Sequence, residues 1–400
     1  MNPLVALSSR DFRIYWLGSL FAMFGHRLII VAISILIYRL TGSAISLGIV
    51  AAASAIPIMF FNLIGGIIAD KYNVRIILFL LSFFISLTLG FLAFIDINEI
   101  VKPFHVYIIS VLLGILLGID FPARNSYFPR IIPDKYLKSG ITLNGATFAG
   151  SSVIVPTIGG LLIVQYGSSI GIFLSSLGYL IMCFSTFFLP NVKMKNETSN
   201  NLNFFTEGLK FVKNNELFYS LILVTYFTNF FIFGYIQALP AFIDIFNGTA
   251  RELGFMFSSA GIGALTGLLT AGNINIKNHL GIKILLSASM FSLFIILVSL
   301  STSIIYIFPL ALIGHFFNGF TTLSIWAILQ HKVPENIRGR VMGILSIHIS
   351  LGVLGGLWVG GMGELFNIRV GMTLGPIICL LFLAYLLSTK KSIRNLKSIN

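Results

Sequence analysis

The sequence predicts an all-α membrane protein with twelve transmembrane helices in two pseudo-symmetric six-helix bundles. Of its 400 residues, 56% are hydrophobic and 10% are charged, whereas a soluble protein carries about 25% charged residues. Runs of about 20 apolar residues, each long enough to cross a hydrocarbon core of about 30 Å, recur along the whole chain. The only long polar segment, residues 190–216, divides these runs six and six.

Each apolar run is expected to form a helix, because a backbone in lipid must satisfy its own hydrogen bonds. The shorter alternating pattern of a membrane β-barrel does not occur in the sequence. The twelve predicted spans are approximately 12–38, 45–69, 75–95, 104–124, 138–164, 169–189, 217–242, 252–272, 280–300, 304–329, 339–363 and 368–388.

The net charge of +13 does not indicate a nucleic-acid site, because the positions of the Lys and Arg residues along the chain instead indicate the orientation of the protein in the membrane. With the N-terminus in the cytoplasm, nearly all Lys and Arg residues fall beside cytoplasmic segments. The exceptions are Arg39, Lys102, Arg251 and Arg369 on the opposite side, and Arg27 within span 1. The positive-inside rule therefore places both termini in the cytoplasm. Anionic lipid headgroups are the expected partners of this basic surface.

Several classes of site are not indicated by the sequence. Cys183 and Cys379 lie inside predicted spans and are interpreted as small buried apolar residues, so no disulfide framework is expected. No phosphate-binding loop, metal-ligand spacing or nucleophile elbow occurs. The sequence therefore predicts neither an enzyme nor a bound metal or cofactor. The first eleven residues lack the layout of a cleaved signal peptide, and span 1 is expected to be its own insertion signal.

The polar segment sets the predicted domain boundaries. We expect an N-terminal bundle over 1–190, a cytoplasmic linker over 191–216, and a C-terminal bundle with a basic tail over 217–400. The halves also match each other at a constant offset of 201 residues. The matching positions are Gly66 with Gly267, Gly118 with Gly319, Ile132-Pro133-Asp134 with Val333-Pro334-Glu335, and Gly159-Gly160 with Gly360-Gly361.

The linker itself has two parts. Residues 196–203 are polar and are predicted to be a mobile connection. The following residues Phe205, Leu209 and Val212 share one helical face, which predicts a short amphipathic helix on the inner membrane surface.

The stretch GGIIADKYNVR, residues 65–75, joins a glycine pair to a charged cluster at the end of span 2. Gly65 and Gly66 allow two helix backbones to approach closely in lipid. Asp70 lies near a helix C-terminus, where the negative pole of the helix dipole is unfavourable for a carboxylate. We therefore expect Asp70 to have a basic partner or the N-terminus of a neighbouring helix beside it.

At this stretch the chain resembles the major facilitator superfamily, whose signature between helices 2 and 3 is a glycine, three residues, an aspartate and a basic cluster. Asn73 and Val74 depart from the common pattern. The resemblance implies that this motif locks the cytoplasmic side of an outward-facing transporter, with Asp120 of span 4 as its acidic partner. Ala271 replaces the aspartate in the second half, so one lock is expected. The matching residues are Gly66, Asp70, Lys71 and Arg75.

Two further segments resemble the branch of this superfamily that contains the enterobactin exporter and the macrolide efflux proteins. These segments are residues 120–144, which include Arg124, and residues 333–343. In VIVPTIGG of span 5, Pro156 matches an exporter feature that bends the helix, although Val155 replaces the glycine that commonly precedes it. Taken singly, the prolines and Arg124 are also explained by helix termination and membrane anchoring.

Polar residues inside spans are costly and are treated as functional candidates. Span 1 carries His26 and Arg27 at mid-depth. Spans 7 and 10 each carry polar residues at spacings of three and four, which predicts one polar face on each helix. In the superfamily, helices 1, 4, 7 and 10 line the central cavity. The resemblance therefore implies a substrate-binding set of His26, Arg27, Tyr226, Asn229, Gln237, His315, Asn318, Thr322 and Trp326.

Arg27 is the leading candidate, because arginine stays charged and no acid is evident at its depth. One hypothesis is that an anionic group of the substrate acts as its counter-ion. The alternative is an arginine satisfied by water or backbone dipoles. His26 and His315 are candidates for proton coupling.

Together these observations predict a secondary transporter of the inner membrane that exports a small organic molecule by alternating access. The cargo suggested by the resemblance is a siderophore or an amphipathic drug, with protons as the coupling ion and a monomer as the simplest assembly. The alternatives are an importer or lipid flippase on the same fold, or a membrane sensor that binds without transporting.

Overall fold

The computed structural model describes residues 3–192, 203–273, 279–396 and 398. Within these ranges, twelve helical spans are long and apolar enough to cross a membrane, which confirms the predicted all-α fold class. The helices are α1 Arg10–Thr41, α2 Ala44–Lys71, α3 Val74–Ile97, α4 Pro103–Ile131, α5 Asp134–Tyr166, α6 Ser168–Phe187, α7 Asn203–Asn214, α8 Glu216–Phe227, α9 Leu239–Asp244, α10 Ala250–Asn273, α11 Leu280–Leu300, α12 Ile304–Lys332, α13 Glu335–Ser346, α14 His348–Leu365, α15 Ile368–Thr389 and α16 Lys391–Arg394.

Two spans differ from the continuous helices that the sequence predicts. The seventh span begins as α8, continues as a π-helix over Thr228–Ile232 and a 3₁₀-helix over Phe233–Ala238, and ends as α9. The eleventh span is interrupted at Ile347, between α13 and α14. The interruption of the seventh span includes the candidate residues Asn229 and Gln237.

The chain divides into two compact units. The first consists of Met1–Gly42, Ile49–Thr198 and Thr249–Phe255, and the second of Ser43–Gly48, Ser199–Gly248 and Met256–Asn400. In the first unit, α6 packs against α1 and α3, while α5 packs against α1 and α4 lies beside α3. In the second unit, α11 packs between α12 and α15, and α14 packs against α15 and the 3₁₀-helix.

One pair of repeat-related glycines, Gly118 and Gly319, makes the same kind of helix contact in each unit. A β-carbon added at Gly118 of α4 would lie 2.9 Å from the side chain of Phe61 in α2. A β-carbon at Gly319 of α12 would meet the backbone of Ala264 in α10. Small residues let helices approach this closely in lipid, where packing and not the hydrophobic effect drives association. Gly118 and Gly319 therefore serve equivalent interfaces, whereas Gly66 has open space and its match Gly267 meets the backbone of Phe316.

The adjacent pair Gly65 and Gly66 provides a matched test of this packing. A β-carbon at Gly65 would lie 2.8 Å from both the α-carbon of Ile119 and the side chain of Pro122, whereas Gly66 has open space at this position. We expect Gly65→Val to lower the thermal stability of the purified protein, because overpacking at a tight contact costs about 1–3 kcal/mol. Gly66→Val should leave the melting temperature nearly unchanged. Equal shifts for the two variants would contradict this assignment.

The linker helix α7 packs against α13. Arg340 forms an ion pair with Glu207, and a β-carbon at Gly208 would lie 2.9 Å from the Arg340 side chain. Val212 is buried, whereas the side chain of Phe205 and residues 196–202 lie outside the described residues. The expected amphipathic segment is therefore helical, and its described packing is to a protein helix.

Candidate functional site

Arg27 lies in the middle of α1 and is directed toward α5. Gly25 brings α1 against the backbone of Ser175 in α6, since a β-carbon at Gly25 would lie 2.8 Å from that carbonyl oxygen. Two residues further along a helix the side chain is rotated by about 200°. Arg27 therefore faces away from α6, and its guanidinium carbon lies 4.4 Å from the centroid of the Phe148 ring in α5.

The Phe148 ring is the partner that the structure gives to Arg27. No described carboxylate forms an ion pair with this guanidinium. Phe148 is 51% exposed, so the pair is open on one side. A cation over an aromatic ring gains about 0.5–2 kcal/mol, and the ring leaves the hydrogen-bond donors of the guanidinium free for an incoming group.

His26 is next to Arg27 on α1. Its Nδ1 atom is buried and has no hydrogen-bond partner among the described residues. Buried polar atoms are normally paired, and an unpaired one calls for a ligand, a water molecule or a catalytic role. The mid-depth pair predicted in span 1 thus consists of one cation without a counter-ion and one unpaired imidazole nitrogen.

Asp120 and Arg124 form a buried ion pair one turn apart on α4. Arg124 Nε donates to Asp120 Oδ2 at 2.6 Å. Arg124 Nη1 donates to the Ser19 hydroxyl at 3.4 Å, and the Tyr15 hydroxyl donates to the Arg124 carbonyl at 3.3 Å. Tyr179 of α6 lies with its ring centroid 5.9 Å from the guanidinium carbon. This cluster ties α1, α4 and α6 together.

The cluster leaves two buried polar atoms without partners in the described part of the chain. They are Asp120 Oδ1 and Arg124 Nη2, one on each member of the ion pair. An ion pair removed from water is favourable only when its remaining lone pairs and protons are also satisfied. The pair is therefore poorly satisfied in this arrangement and is suited to exchanging partners.

The charged stretch after α2 is arranged differently from the expected lock. Arg75 Nε and Nη2 donate to the carbonyls of Thr186 and Phe187, each at 2.8 Å. A cation at a helix C-terminus is stabilised by the helix dipole, and Arg75 thus caps α6. Among the described side chains, Asp120 pairs with Arg124 and forms no ion pair with Lys71 or Arg75. Lys71 is exposed, and the side chain of Asp70 lies outside the described residues.

Pro156 is buried within α5, which continues as one α-helix on both sides of it. Its carbonyl oxygen approaches Gly254, where a β-carbon would lie 2.7 Å away. The Thr157 hydroxyl lies 3.5 Å from the Gly254 carbonyl. The proline therefore lies at a tight glycine contact, in keeping with a bending or packing role.

The seventh span does not present the single polar face that its spacing predicts. Thr225 donates to the Leu221 carbonyl at 3.0 Å, and Asn229 donates to the Thr225 carbonyl at 2.8 Å. The Thr228 hydroxyl lies within 3.0 Å of two carbonyls, those of Val224 and Thr225. Such side chains compete for the helical carbonyls and bend the helix. The π-helix and 3₁₀-helix that follow rotate Gln237 away from the face of the earlier residues.

Tyr226 forms a hydrogen bond at the interruption of the eleventh span. Its hydroxyl donates to the Ile344 carbonyl at 2.5 Å. His348 Nδ1 lies 2.7 Å from the Leu345 carbonyl. These are carbonyls that a helix leaves unsatisfied where it ends. Tyr226, predicted as a substrate ligand, therefore supports the junction of α13 and α14 in this structure.

Removing this hydroxyl gives a second test. Tyr226→Phe should destabilise the protein by about 1 kcal/mol, because it deletes one hydrogen bond and leaves the Ile344 carbonyl less well satisfied. The measurement is the unfolding midpoint of the purified protein in detergent. Tyr219→Phe is the matched control, since Tyr219 lies on the same helix α8 and is 45% exposed. If Tyr219→Phe shifts the unfolding midpoint as much as Tyr226→Phe, the hydrogen bond from Tyr226 to the Ile344 carbonyl is not the cause of the destabilisation.

His315 is placed in the core of the second unit and not on the accessible polar face. It is 2% exposed, and its Nε2 atom lies 3.0 Å from the Tyr235 hydroxyl. The rings of Phe233 and Phe291 surround it at 5.8 and 5.2 Å. The residue three positions along a helix is offset by about 60° around the axis, and this rotation separates His315 from Asn318.

The remaining predicted residues of α12 stay accessible. Asn318, Thr322 and Trp326 are half-buried and share one face at intervals of four residues. Within the described residues their side chains take part in no hydrogen bond, and the same holds for Gln237. These four side chains therefore remain available to a ligand.

Sequence reasoning missed residues whose types carry little signal. Phe148 is one of 38 phenylalanines, and Tyr15, Ser19 and Tyr179 are ordinary residues of membrane helices. Asp96 could have been found, because an acid ending an apolar run calls for a partner. It pairs with Arg39 and accepts a hydrogen bond from Ser168 at 2.8 Å.

Twelve spans that bury charged and polar side chains define a multi-pass membrane protein with sites inside its helical bundles. Residues 15–357 match the family model of the Major Facilitator Superfamily. The chain belongs to this superfamily of transporters, which bind small-molecule substrates. Its membrane-spanning helices and its bacterial relatives indicate a multi-pass protein of the inner membrane.

Individual relatives are distant. The chain is 21% identical over 364 residues to the uncharacterized MFS-type transporter YfiS of Bacillus subtilis (strain 168), covering 88% of this chain and 85% of YfiS. It is 24% identical over 362 residues to the enterobactin exporter EntS of Shigella boydii serotype 18, covering 89% and 86%. A solved bacterial homologue of the human lysosomal transporter Spinster, inward-facing and occupied, matches with a TM-score of 0.74 at 14% identity and covers 97% of each chain. That likeness shows the fold.

Proposed function

We propose that this chain exports a small organic molecule that carries an anionic group beside an aromatic or apolar body. The observation that carries the proposal is Arg27, a cation at the middle of a membrane helix whose described partner is the Phe148 ring alone. Similarity to an enterobactin exporter supports the export direction. A catecholate siderophore and an acidic amphipathic drug both have this chemistry.

Energy is proposed to come from a proton gradient and to drive alternating access. The unpaired Nδ1 of His26 is the group best suited to exchange a proton. His315 is less suited, because it is buried against Tyr235. Asp70, Lys71 and Arg75 are proposed as the gate, with the Asp120–Arg124 pair as the element that exchanges partners during the cycle.

The proposal is tested with purified protein in vesicles. A panel of catecholates, acidic drugs and their neutral esters is presented with and without an imposed pH gradient. We expect gradient-driven flux of the anionic compounds and little flux of the esters. Flux of a fluorescent phospholipid with no flux of the panel would favour the flippase alternative, and binding without any flux would favour a sensor.

Asp70→Asn separates transport from binding in the same assay. We expect this variant to lose flux while retaining binding of the transported anion, since the gate is proposed to act on access and not on affinity. Loss of both would place Asp70 in the binding site, and unchanged flux would overturn the gating role.

The orientation with both termini in the cytoplasm is also a proposal, supported by the distribution of Lys and Arg. Both native cysteines are buried, so cysteines introduced at Asn98 and Asn214 would report on sidedness with little background. A membrane-impermeant maleimide added to intact cells should label position 98 and leave position 214 unlabelled. The reverse pattern would invert the topology.

A further inference from the structure

An apolar groove runs along the outer surface of the second unit between α11 and α15. It has a volume of about 460 Å³. Its lining consists of one serine, Ser289, and aliphatic side chains that include Leu285, Leu286, Ile377, Leu381 and Leu387. The single hydroxyl in this set, that of Ser289, is already bonded to the Leu285 carbonyl at 2.9 Å. The groove therefore offers apolar contact and no hydrogen bonds, which suits a hydrocarbon chain.

The length of the groove matches one leaflet of a bilayer. From Ile377 to Leu387 it follows ten residues of α15, which rise by about 15 Å along a helix. The hydrocarbon core is about 30 Å thick, so each leaflet contributes about half of it. Leu286 and Leu381 on its walls are 51% and 67% exposed. A groove of this length accommodates one acyl chain lying along the membrane normal.

Three cations are placed at one end of the groove. Lys283 precedes Leu286 by three residues on α11 and so lies on the same side of that helix. Lys391 and Arg394 belong to α16, which packs against both α11 and α15. Ile393 between them is fully buried, and the Leu396 carbonyl accepts a hydrogen bond from the Gly281 amide at 3.2 Å. The tail is thus fixed where the groove ends.

These three cations are not neutralised by the described part of the chain, since none of them takes part in an ion pair there. The neighbouring Lys390 differs, because its ammonium donates to Glu216 at 3.0 Å. That hydrogen bond raises the pKa of Lys390 above its usual value. Lys283, Lys391 and Arg394 therefore remain available to an external anion at headgroup depth.

We propose that this groove is a binding site for one anionic phospholipid. The lipid belongs to the leaflet on the same side of the membrane as the C-terminal helix α16. One acyl chain lies between α11 and α15, and the phosphate lies against Lys283, Lys391 and Arg394. Basic residues at the membrane boundary beside grooves between helices favour anionic headgroups. The site is independent of the transported molecule, because its residues belong to α11, α15 and α16 and include none of those proposed to bind substrate.

The test is native mass spectrometry of the full-length protein in a neutral detergent, titrated with phosphatidylglycerol or with phosphatidylcholine of the same chains. We expect the first phosphatidylglycerol to bind at least about tenfold more tightly than phosphatidylcholine. A K283Q/K391Q/R394Q variant should lose this preference. The matched control K138Q/K210Q/K213Q removes three exposed cations from other elements and should keep it.

The apolar half of the site is tested separately. Leu286→Trp fills the groove and should weaken binding of the first phosphatidylglycerol, whereas Leu87→Trp on the exposed face of α3, where Leu87 is 57% exposed, should not. Glycerol phosphate, which has the anion without the chain, should fail to compete. Equal affinity for the two lipids, equal loss in the two triple variants, or displacement by glycerol phosphate would each overturn the proposal.

Discussion

Arg27→Gln is expected to reduce transport of anionic substrates by about 10- to 100-fold, while neutral esters of the same compounds are affected little. A hydrogen bond to a charged group contributes about 1.5–3 kcal/mol, and each 1.4 kcal/mol corresponds to a factor of ten. The measurement is initial flux into proteoliposomes at equal amounts of folded transporter. Arg27→Lys keeps the charge and should retain part of the activity, because lysine lacks the planar fork of donors.

Two further variants show whether the effect belongs to the anion contact. Phe148→Leu removes the ring beneath the guanidinium and should change flux by about 2- to 30-fold, since a cation–ring contact is worth about 0.5–2 kcal/mol. Arg369→Gln is the matched control, because it removes an arginine that is already bonded within the protein. The Arg369 guanidinium donates to the Ser299 and Ser301 carbonyls at 2.9 and 2.6 Å. This variant should affect anions and esters alike. Unimpaired anion flux in stable Arg27→Gln protein would refute the role of Arg27.

The largest effect on stability is expected at the ion pair of α4. Asp120→Ala leaves Arg124 buried without its counter-ion, which costs about 3–5 kcal/mol. Arg124 is 9% exposed, so water screens this loss poorly. We expect Asp120→Ala to lower the unfolding midpoint strongly, or to prevent recovery of folded protein.

A double variant separates the lost charge from lost packing. Asp120→Leu with Arg124→Met removes both charges and replaces them with apolar side chains, which is often close to neutral for stability. It should be more stable than either single variant, with a coupling energy of about 0.5–3 kcal/mol. If the double variant is as unstable as the sum of the singles, the pair does not act as a unit. Flux in the stable double variant then tests its proposed part in gating.

The fold followed from the sequence because its main signal is local. A run of about 20 apolar residues has few alternatives to a membrane helix, and the twelve spans confirm this. The interruption of the seventh span could not be predicted in the same way. Threonine and asparagine are ordinary in membrane helices, and the kink depends on which carbonyls they reach and on the close approach of Gly234 to Gly355. Contacts between helices that are distant in the sequence cannot be read from the local pattern of residues.

The candidate residues show the same limit. The sequence indicated a glycine pair, but only the rotation of α2 decides that Gly65 and not Gly66 meets α4. Asp120 and Arg124 are four residues apart, a spacing that favours an ion pair on one helix, whereas the family resemblance implies that Asp120 pairs with the motif after α2. The sequence shows no acid at the depth of Arg27, and no described carboxylate forms an ion pair with it. Its aromatic partner could not be predicted, because it lies on another helix.

The broken seventh span has a consequence for how its amides exchange with solvent deuterium. The first span, α1, is one helix of 32 residues. Its counterpart in the second half changes its hydrogen-bond pattern three times, from α to π at Thr228, to 3₁₀ at Phe233 and back to α at Leu239. Backbone bonds in 3₁₀ and π segments have poorer geometry than those of an α-helix, and local opening occurs where such bonds are weakest. The first and seventh spans occupy equivalent positions in the repeat. We therefore expect the amides of Thr228–Ala238 to exchange faster than those in the middle of α1.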